Sequence, residues 1–462
     1  MPDLLSHHRS QGRALFALLL SQLLLLGQAQ AAGFAIVENS ARELGVAFAG
    51  GSAIAEDGST VWFNPAGMTR LDTTFQFSTH YIDPTFDFDD AESAQLLPSG
   101  EIEMDGSRAS GGGEPAIVPN IYYVQPLSER IYFGVGLNAP FGLTTKYDPN
   151  WIGRYQAVKS EIVTLNVNPA IAFVVNEHLS VGAGLNINYM EAELTNAIDF
   201  AAVCAAAAGG ACPNGSIPGQ GMYDGFVVNE ADDTSVGVNV GLLWSPSEDA
   251  RIGLAYRSQI NHSLTGEATF SAPATLGGFE ALGPLGLALN ATFADSDITA
   301  SVSLPDTASV SVFQRLSHNL SVVGDLTWTD WADIPELRVD FSNPLAPRSA
   351  EALKWDESWR ISAGVILDLN ERWTVRSGYA YDESPVPDAA ARTSRLPDND
   401  RQWLALGVSH RFSQSITVDL GYAHLFIRDT AIARLGSTAN LLDGNFDSDA
   451  DIVSLQVNYA RR

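Results

Sequence analysis

The chain has little cysteine and little positive charge. Its 462 residues include 2 Cys, and 26 Lys and Arg stand against 54 Asp and Glu, a formal net charge of -28. The two cysteines, Cys204 and Cys212, bracket "AAAAGGA". That spacing is no CxxC metal or redox motif, so neither a metal nor another cofactor is expected; in an exported chain a disulfide closing this local loop is expected instead. The acidic balance repels phosphate backbones and excludes nucleic acid as a natural partner. Solvated acidic loops account for most of that charge, and bridging through divalent cations to anionic lipid headgroups is a further use for it. Long apolar runs are also missing after residue 27, which excludes a membrane-spanning helix in the body of the chain.

What precedes residue 27 reads as an export signal. His7, His8, Arg9 and Arg13 lead into "ALFALLLSQLLLL", followed by Ala29-Gln30-Ala31. Residues 1–31 are therefore expected to be a signal peptide, with the mature chain starting at Ala32. The well-formed small-residue site argues against an uncleaved anchor.

Apolar residues are nonetheless 45% of the chain, and they alternate. In "SVGAGLNINY", Val181, Ala183, Leu185, Ile187 and Tyr189 share one face, while Ser180, Gly182, Gly184, Asn186 and Asn188 share the other. About fourteen such segments can be collected, from 73–88 to 448–460. Short links such as "PLSE" and "LNER" alternate with long ones near 89–115, 195–231 and 430–447. This pattern predicts an all-β, 14-stranded antiparallel transmembrane β-barrel with short periplasmic turns and long outer loops. A soluble sandwich has no reason to alternate its loops in this way. Trp244, Trp328, Trp355, Trp359, Trp373, Trp403, Tyr422 and Tyr459, near strand ends, suit interfacial girdles.

Residues 32–72, rich in Gly and Ala, do not alternate. They are expected to form an N-terminal plug, or hatch, in the lumen of a barrel made by residues 73–462. The Asn64-Pro65-Ala66 turn would then lie inside the barrel.

Ala32-Gly33-Phe34, "NPA" at Asn64 to Ala66, "DESPVP" at Asp382 to Pro387 and "PDNDRQWLALG" at Pro397 to Gly407 together resemble the FadL family of outer-membrane transporters of long-chain fatty acids and hydrocarbons. The resemblance runs almost the length of the chain. It implies passive diffusion of a hydrophobic ligand through a hatch-plugged barrel in the bacterial outer membrane. It also implies an internal pocket touched by the mature N-terminus, and sideways release through a wall gap beside a kink in the third strand. Phe34 becomes a candidate pocket contact, and Asn64, Pro65 and Ala66 candidate gate residues. In the third strand, "IYFGVGLNAPFG", Gly134, Gly136 and Pro140 suit a bulge or bend; close packing of the plug would explain the glycines equally well. Sideways release suits an apolar chain, which gains roughly 0.8 kcal/mol per buried methylene.

Alternation points Arg360, Arg376, Arg401 and Asp419 inward. Buried arginines need partners, either lumen acids or Glu43, Glu56 and Asp57 of the plug; alternatively Arg360 or Arg376 meets a fatty-acid carboxylate. One departure from the fatty-acid members is that "NYMEAELTNAIDF" carries Glu191 and Glu193 after the fifth strand, where a basic residue would hold the carboxylate. No Lys or Arg occurs between Lys159 and Arg251. Neutral hydrocarbons or aromatic compounds thus remain alternative ligands, and Arg154 and Lys354 are possible substitute cations. A general porin would not need the hatch. No GxSxG elbow accompanies the strand histidines, so an enzyme is not expected. The expected partners are a hydrophobic small molecule, outer-membrane lipid and lipopolysaccharide, with the chain acting as a monomer.

Overall fold

The computed structural model describes residues 33–207, 217–273 and 284–461. The expected signal peptide, Ala32, and Cys212 of the expected disulfide lie outside the described residues.

Alternation builds the wall. Along Thr73–Asp90 (β1), Phe75, Phe77 and Tyr81 are exposed on one face, while Gln76, Ser78 and His80 are fully buried on the other. The same rule holds in Ala116–Pro126 (β2), Ile131–Asn138 with Gly142–Lys146 (β3), Lys159–Asn176 (β4) and Leu179–Asp199 (β5). It continues through Asp224–Ser247 (β6), Ala250–Arg257 with Ile260–Ser271 (β7), Ser296–Leu304 with Thr307–Arg315 (β8) and Leu320–Thr329 (β9). Ser358–Asp368 (β10), Trp373–Asp382 (β11), Arg401–Arg411 (β12), Ile416–Ile427 with Thr430–Leu435 (β13) and Asn440–Arg461 (β14) complete it. Each strand pairs antiparallel with the next, and β1 pairs with β14 from Thr73↔Arg461 to Asp90↔Gly444. The result is a closed barrel of 14 strands. Closure removes the outer edges of the sheet, so the backbone groups of the paired wall are satisfied without water.

Short turns at 127–130, 177–178, 248–249, 316–319, 369–372 and 412–415 mark one end. Longer connections at the other end carry extra pieces of sheet, such as Glu336–Phe341, and the helices Phe200–Ala207 and Pro284–Thr292. No described helix is long and apolar enough to cross a membrane; the crossing elements are the strands. Several strands run further outward than the sequence pattern predicts. β5 reaches Asp199 and β6 begins at Asp224, because the hairpin stays paired beyond the apolar zone. There the outward residues become acidic, and Glu191 and Glu193 face Asp232 and Glu230 across the ladder.

Trp244, Trp359, Trp373, Tyr422 and Tyr459 are exposed on the outer face, as a girdle requires. Trp355 and Trp403 correct the expectation, because both are buried inside. Trp403 donates its indole N–H to Asp382 at 3.2 Å, and Trp355 packs against Trp331.

Residues 33–72 are largely buried and pack against the buried faces of wall strands. They form three single turns of helix, Ala41–Leu44 (α1), Gly51–Ile54 (α2) and Thr60–Phe63 (α3), and the 3-10 helix Pro65–Arg70. Small residues let the two layers approach. A side chain added at Gly45 would strike Gly407, and one added at Gly378 would strike Val46. Polar contacts reach far-apart strands: the Ser52 amide donates to Ser311 Oγ at 3.0 Å, and Tyr122 Oη donates to Asn39 Oδ1 at 2.8 Å.

Candidate functional site: the broken wall and the N-terminal segment

Proline and a one-residue shift break the third strand. Between Asn138↔Asn166 and Gly142↔Val163 the register against β4 moves by one residue, with Pro140 in the interval. Pro140 cannot donate to a ladder, and a bulge bends the strand that carries it. On its other side β3 leaves β2. The ladder ends at Ile121↔Leu137 and reappears only as a single bridge, Gly113↔Thr145.

The N-terminal segment occupies that interval from inside. Ala35 bridges Phe141, the Ile36 amide donates to the Pro140 carbonyl at 2.8 Å, and the Gly142 amide donates to the Phe34 carbonyl at 3.0 Å. A short extra strand has been added to β3 where β2 is missing, satisfying backbone groups that would otherwise be orphaned.

Phe34 points the other way, into an aromatic cluster. Its ring lies 5.1 Å from Trp331, 5.8 Å from Phe141 and 6.2 Å from Trp355. Leu264, Ile298, Val302 and Leu396 extend the cluster toward the outer loops. Phe34, the candidate pocket contact, is packed in this cluster and does not line the cavity beneath it.

Gly33 is held by the "PDNDRQ" stretch. Its amide donates to Asp398 Oδ2 at 3.0 Å and its carbonyl accepts from Arg401 at 3.2 Å, while Asp398 and Arg401 pair at 2.7 Å. Glu38, four residues after Phe34, is buried. Burial pushes its carboxyl up to about 7, against the opposing pull of its own backbone hydrogen bond, Arg401 and Arg360.

A cavity of about 150 Å³ lies beneath this cluster, between the N-terminal segment and the wall. Ile36, Phe63, Pro65, Pro140 and Phe141 contribute its apolar lining, and Arg257, Asp325 and Arg360 its charged groups. Arg360 therefore reaches the cavity. Its Nε is 3.7 Å from Asp382, and it donates to the Ala47 carbonyl at 2.8 Å. Arg376 does not line the cavity; it bonds Ser409 and lies 3.8 Å from Glu56 of the N-terminal segment. Arg154, considered as a substitute cation, is already held at 2.6 Å by Asp224. Lys354 is exposed.

Asn64, Pro65 and Ala66 are buried. Asn64 Nδ2 donates to the Ser52 and Leu242 carbonyls at 2.7 and 3.0 Å, and its Oδ1 accepts from the Ala66 amide at 3.1 Å. Gly182 of β5 and Gly241 of β6 have no room for a Cβ because the turn fills that space. The turn is therefore moored to β5 and β6, with Pro65 alone reaching the cavity. Gly134 and Gly136 also differ from the bend expected of them. The ladder is regular at both, and they leave room for Met68, Val61 and the Tyr122 ring. Cys204 is buried on the helix Phe200–Ala207.

Sequence reasoning missed Arg257, Trp331 and Asp398. Arg257 was within reach of the alternation rule, since Leu254 and Tyr256 face outward on the same strand.

A closed barrel with an apolar outer belt, a packed lumen segment and a locally broken wall is an outer-membrane transport barrel. The chain belongs to the family described as outer membrane protein transport protein (OMPP1/FadL/TodX), which it matches over residues 22–460. It is 30% identical to outer membrane protein P1 of Haemophilus influenzae, over 95% of this chain and 97% of that protein. It is 28% identical to the long-chain fatty acid transport protein of Escherichia coli O6:H1, over 88% and 90%. The crystal structure of a Pseudomonas aeruginosa FadL homologue superposes with a TM-score of 0.84 at 26% identity, covering 93% of this chain and all (100%) of that one. The Pseudomonas putida toluene transporter TodX shares the fold, with a TM-score of 0.63 at 15% identity over 94% and 100%. The protein is an outer-membrane transporter of hydrophobic compounds.

Proposed function

We propose that the protein carries long-chain fatty acids across the outer membrane by passive diffusion, as a monomer among lipopolysaccharide. Residues 32–72 act as its hatch, and the ligand leaves sideways through the break between β2 and β3. The observation that carries this reading is the bridge of Ala35 to Phe141, next to a Phe34 ring buried in the aromatic cluster. One short segment thus fills both the pocket and the break. Withdrawing it would vacate the two together.

Size supports movement. A cavity of about 150 Å³ matches the space that takes a benzene-sized guest, whereas pockets for larger ligands run to roughly 300–1,000 Å³. A long chain fits only after Phe34 leaves the cluster. A small aromatic hydrocarbon would fit without that step, which is the second reading. The bilayer then takes up the ligand, since each methylene removed from water contributes about 0.8 kcal/mol. Cys204 and Cys212 staple the outer loop that contains them.

The test is uptake of labelled oleate and of labelled toluene by bacteria lacking outer-membrane fatty-acid transport, with and without this protein. Oleate uptake that rises with expression is the expected result. A rise for toluene alone would replace the first reading with the second.

A further inference from the structure

Arg257 is a buried guanidinium with no acidic partner among the described residues. Arg251, Arg360, Arg376 and Arg401 also point inward from the wall, and each has a carboxylate within 4 Å, at 3.9, 3.7, 3.8 and 2.7 Å. Arg257 has none among the described residues. Its Nη1 donates to Asn186 Oδ1 and its Nη2 to the Trp62 carbonyl, both at 2.6 Å, and its Cζ lies 3.2 Å from the centre of the Trp62 ring. Both hydrogen-bond partners are neutral. A guanidinium has five N–H groups, so three remain unused.

The cross-strand neighbour of Arg257 is Asn239, in register between β7 and β6. Asn239 Oδ1 accepts from Asn168 and Asn186 at 3.0 and 3.2 Å, which turns its amide nitrogen away from that network. The nitrogen is buried and has no partner. Both side chains line the cavity. The cavity wall therefore holds a guanidinium with no counter-charge among the described residues, beside a buried amide nitrogen that has no partner. Leaving such groups unpaired in a dry interior is costly, whereas a charged acceptor placed between them would be bound strongly.

We propose that Arg257 and Asn239 form the head-group site for a long-chain carboxylate, the guanidinium and the amide nitrogen donating to its two oxygens. The tail continues past Phe141, which lines the cavity and also belongs to the aromatic cluster around Phe34. This assigns the ligand as an acid rather than a neutral hydrocarbon, and it explains how the chain does without a basic residue between Lys159 and Arg251. The inference rests on the uptake function proposed above.

The test uses the full-length barrel in nanodiscs and measures displacement of labelled palmitate by unlabelled palmitate and by methyl palmitate. The wild type should prefer the acid. Arg257→Gln should reduce that preference at least tenfold, and Arg257→Lys should restore part of it. Asn239→Asp supplies a second route if Arg257→Gln fails to give a heat-resistant barrel; its own carboxylate would occupy the guanidinium and lower the preference by a similar factor. Folded variants that keep the wild-type preference, or a wild type that binds acid and ester alike, would overturn the head-group site while leaving uptake intact. A wild type that binds neither probe would overturn both.

Discussion

Asp398 accepts a hydrogen bond from the Gly33 amide at 3.0 Å, across 365 residues of sequence. Arg401 completes the clamp from the same strand start, and Ser384 donates to the same Asp398 oxygen at 2.8 Å. The fully buried Asp398 carboxylate thus fixes the position of the residue before Phe34.

Asp398→Asn should loosen that clamp. Removing one partner of a buried ion pair costs about 3 kcal/mol or more, and here the loss falls on a segment held by few other polar contacts. A spin label at residue 35 should become mobile while the barrel keeps its heat resistance. An unchanged spectrum would show that Asp398 does not hold the segment.

Phe34→Ala should strengthen ligand binding. The ring fills the centre of the aromatic cluster, and a long chain enters only once that ring has left, so truncation removes a packing cost of about 3–5 kcal/mol that the ligand otherwise has to overcome. Palmitate affinity should rise at least tenfold, read by displacement in nanodiscs. Equal affinity would remove Phe34 from the ligand's surroundings.

Gly241→Ala should dislodge the Asn64 turn. The added Cβ would lie 1.9 Å from Asn64 Oδ1, which no rotamer change of the new methyl can relieve. Faster proteolysis within residues 33–72 and reduced uptake are expected, and wild-type resistance with normal uptake would contradict the mooring.

Seating of the N-terminal segment should depend on pH through Glu38. Docked, its carboxyl is pushed up to about 7 by burial; released into water it returns to about 4.5. The docked form therefore holds the extra proton, so docking is favoured as pH falls from about 7 to 4.5 and weakened as pH rises through 7. The slope approaches roughly 1.4 kcal/mol per pH unit. Mobility of a label at residue 35 should increase between pH 5 and pH 8, and Glu38→Gln should flatten that profile. A pH dependence equal in wild type and variant would exclude Glu38.

The barrel was legible because one rule, alternation, governs every strand and needs no knowledge of partners. The same rule sent Arg360, Arg376 and Asp419 inward, where all three are buried. It could not say what each meets across the lumen. Arg376 illustrates the difference: it faces inward, yet the acid it answers, Glu56, lies in the N-terminal segment, far earlier in sequence. Trp403 was misplaced although the same rule decides it: Leu404 and Leu406 face outward, so Trp403 turns inward, where it donates to Asp382. Asp398 and Gly33 share no local pattern at all, since their contact exists only once the barrel has closed.

In the proposed function one segment closes both pocket and wall, and Ala35 meets the wall at Phe141. Ala35→Cys with Phe141→Cys tests it directly, because bridge partners in an antiparallel pair lie within disulfide reach, about 4.5–5.5 Å between Cα atoms. Oleate uptake should stop when the pair is oxidised and recover on reduction. Uptake that continues at the wild-type rate with the disulfide formed would contradict the account.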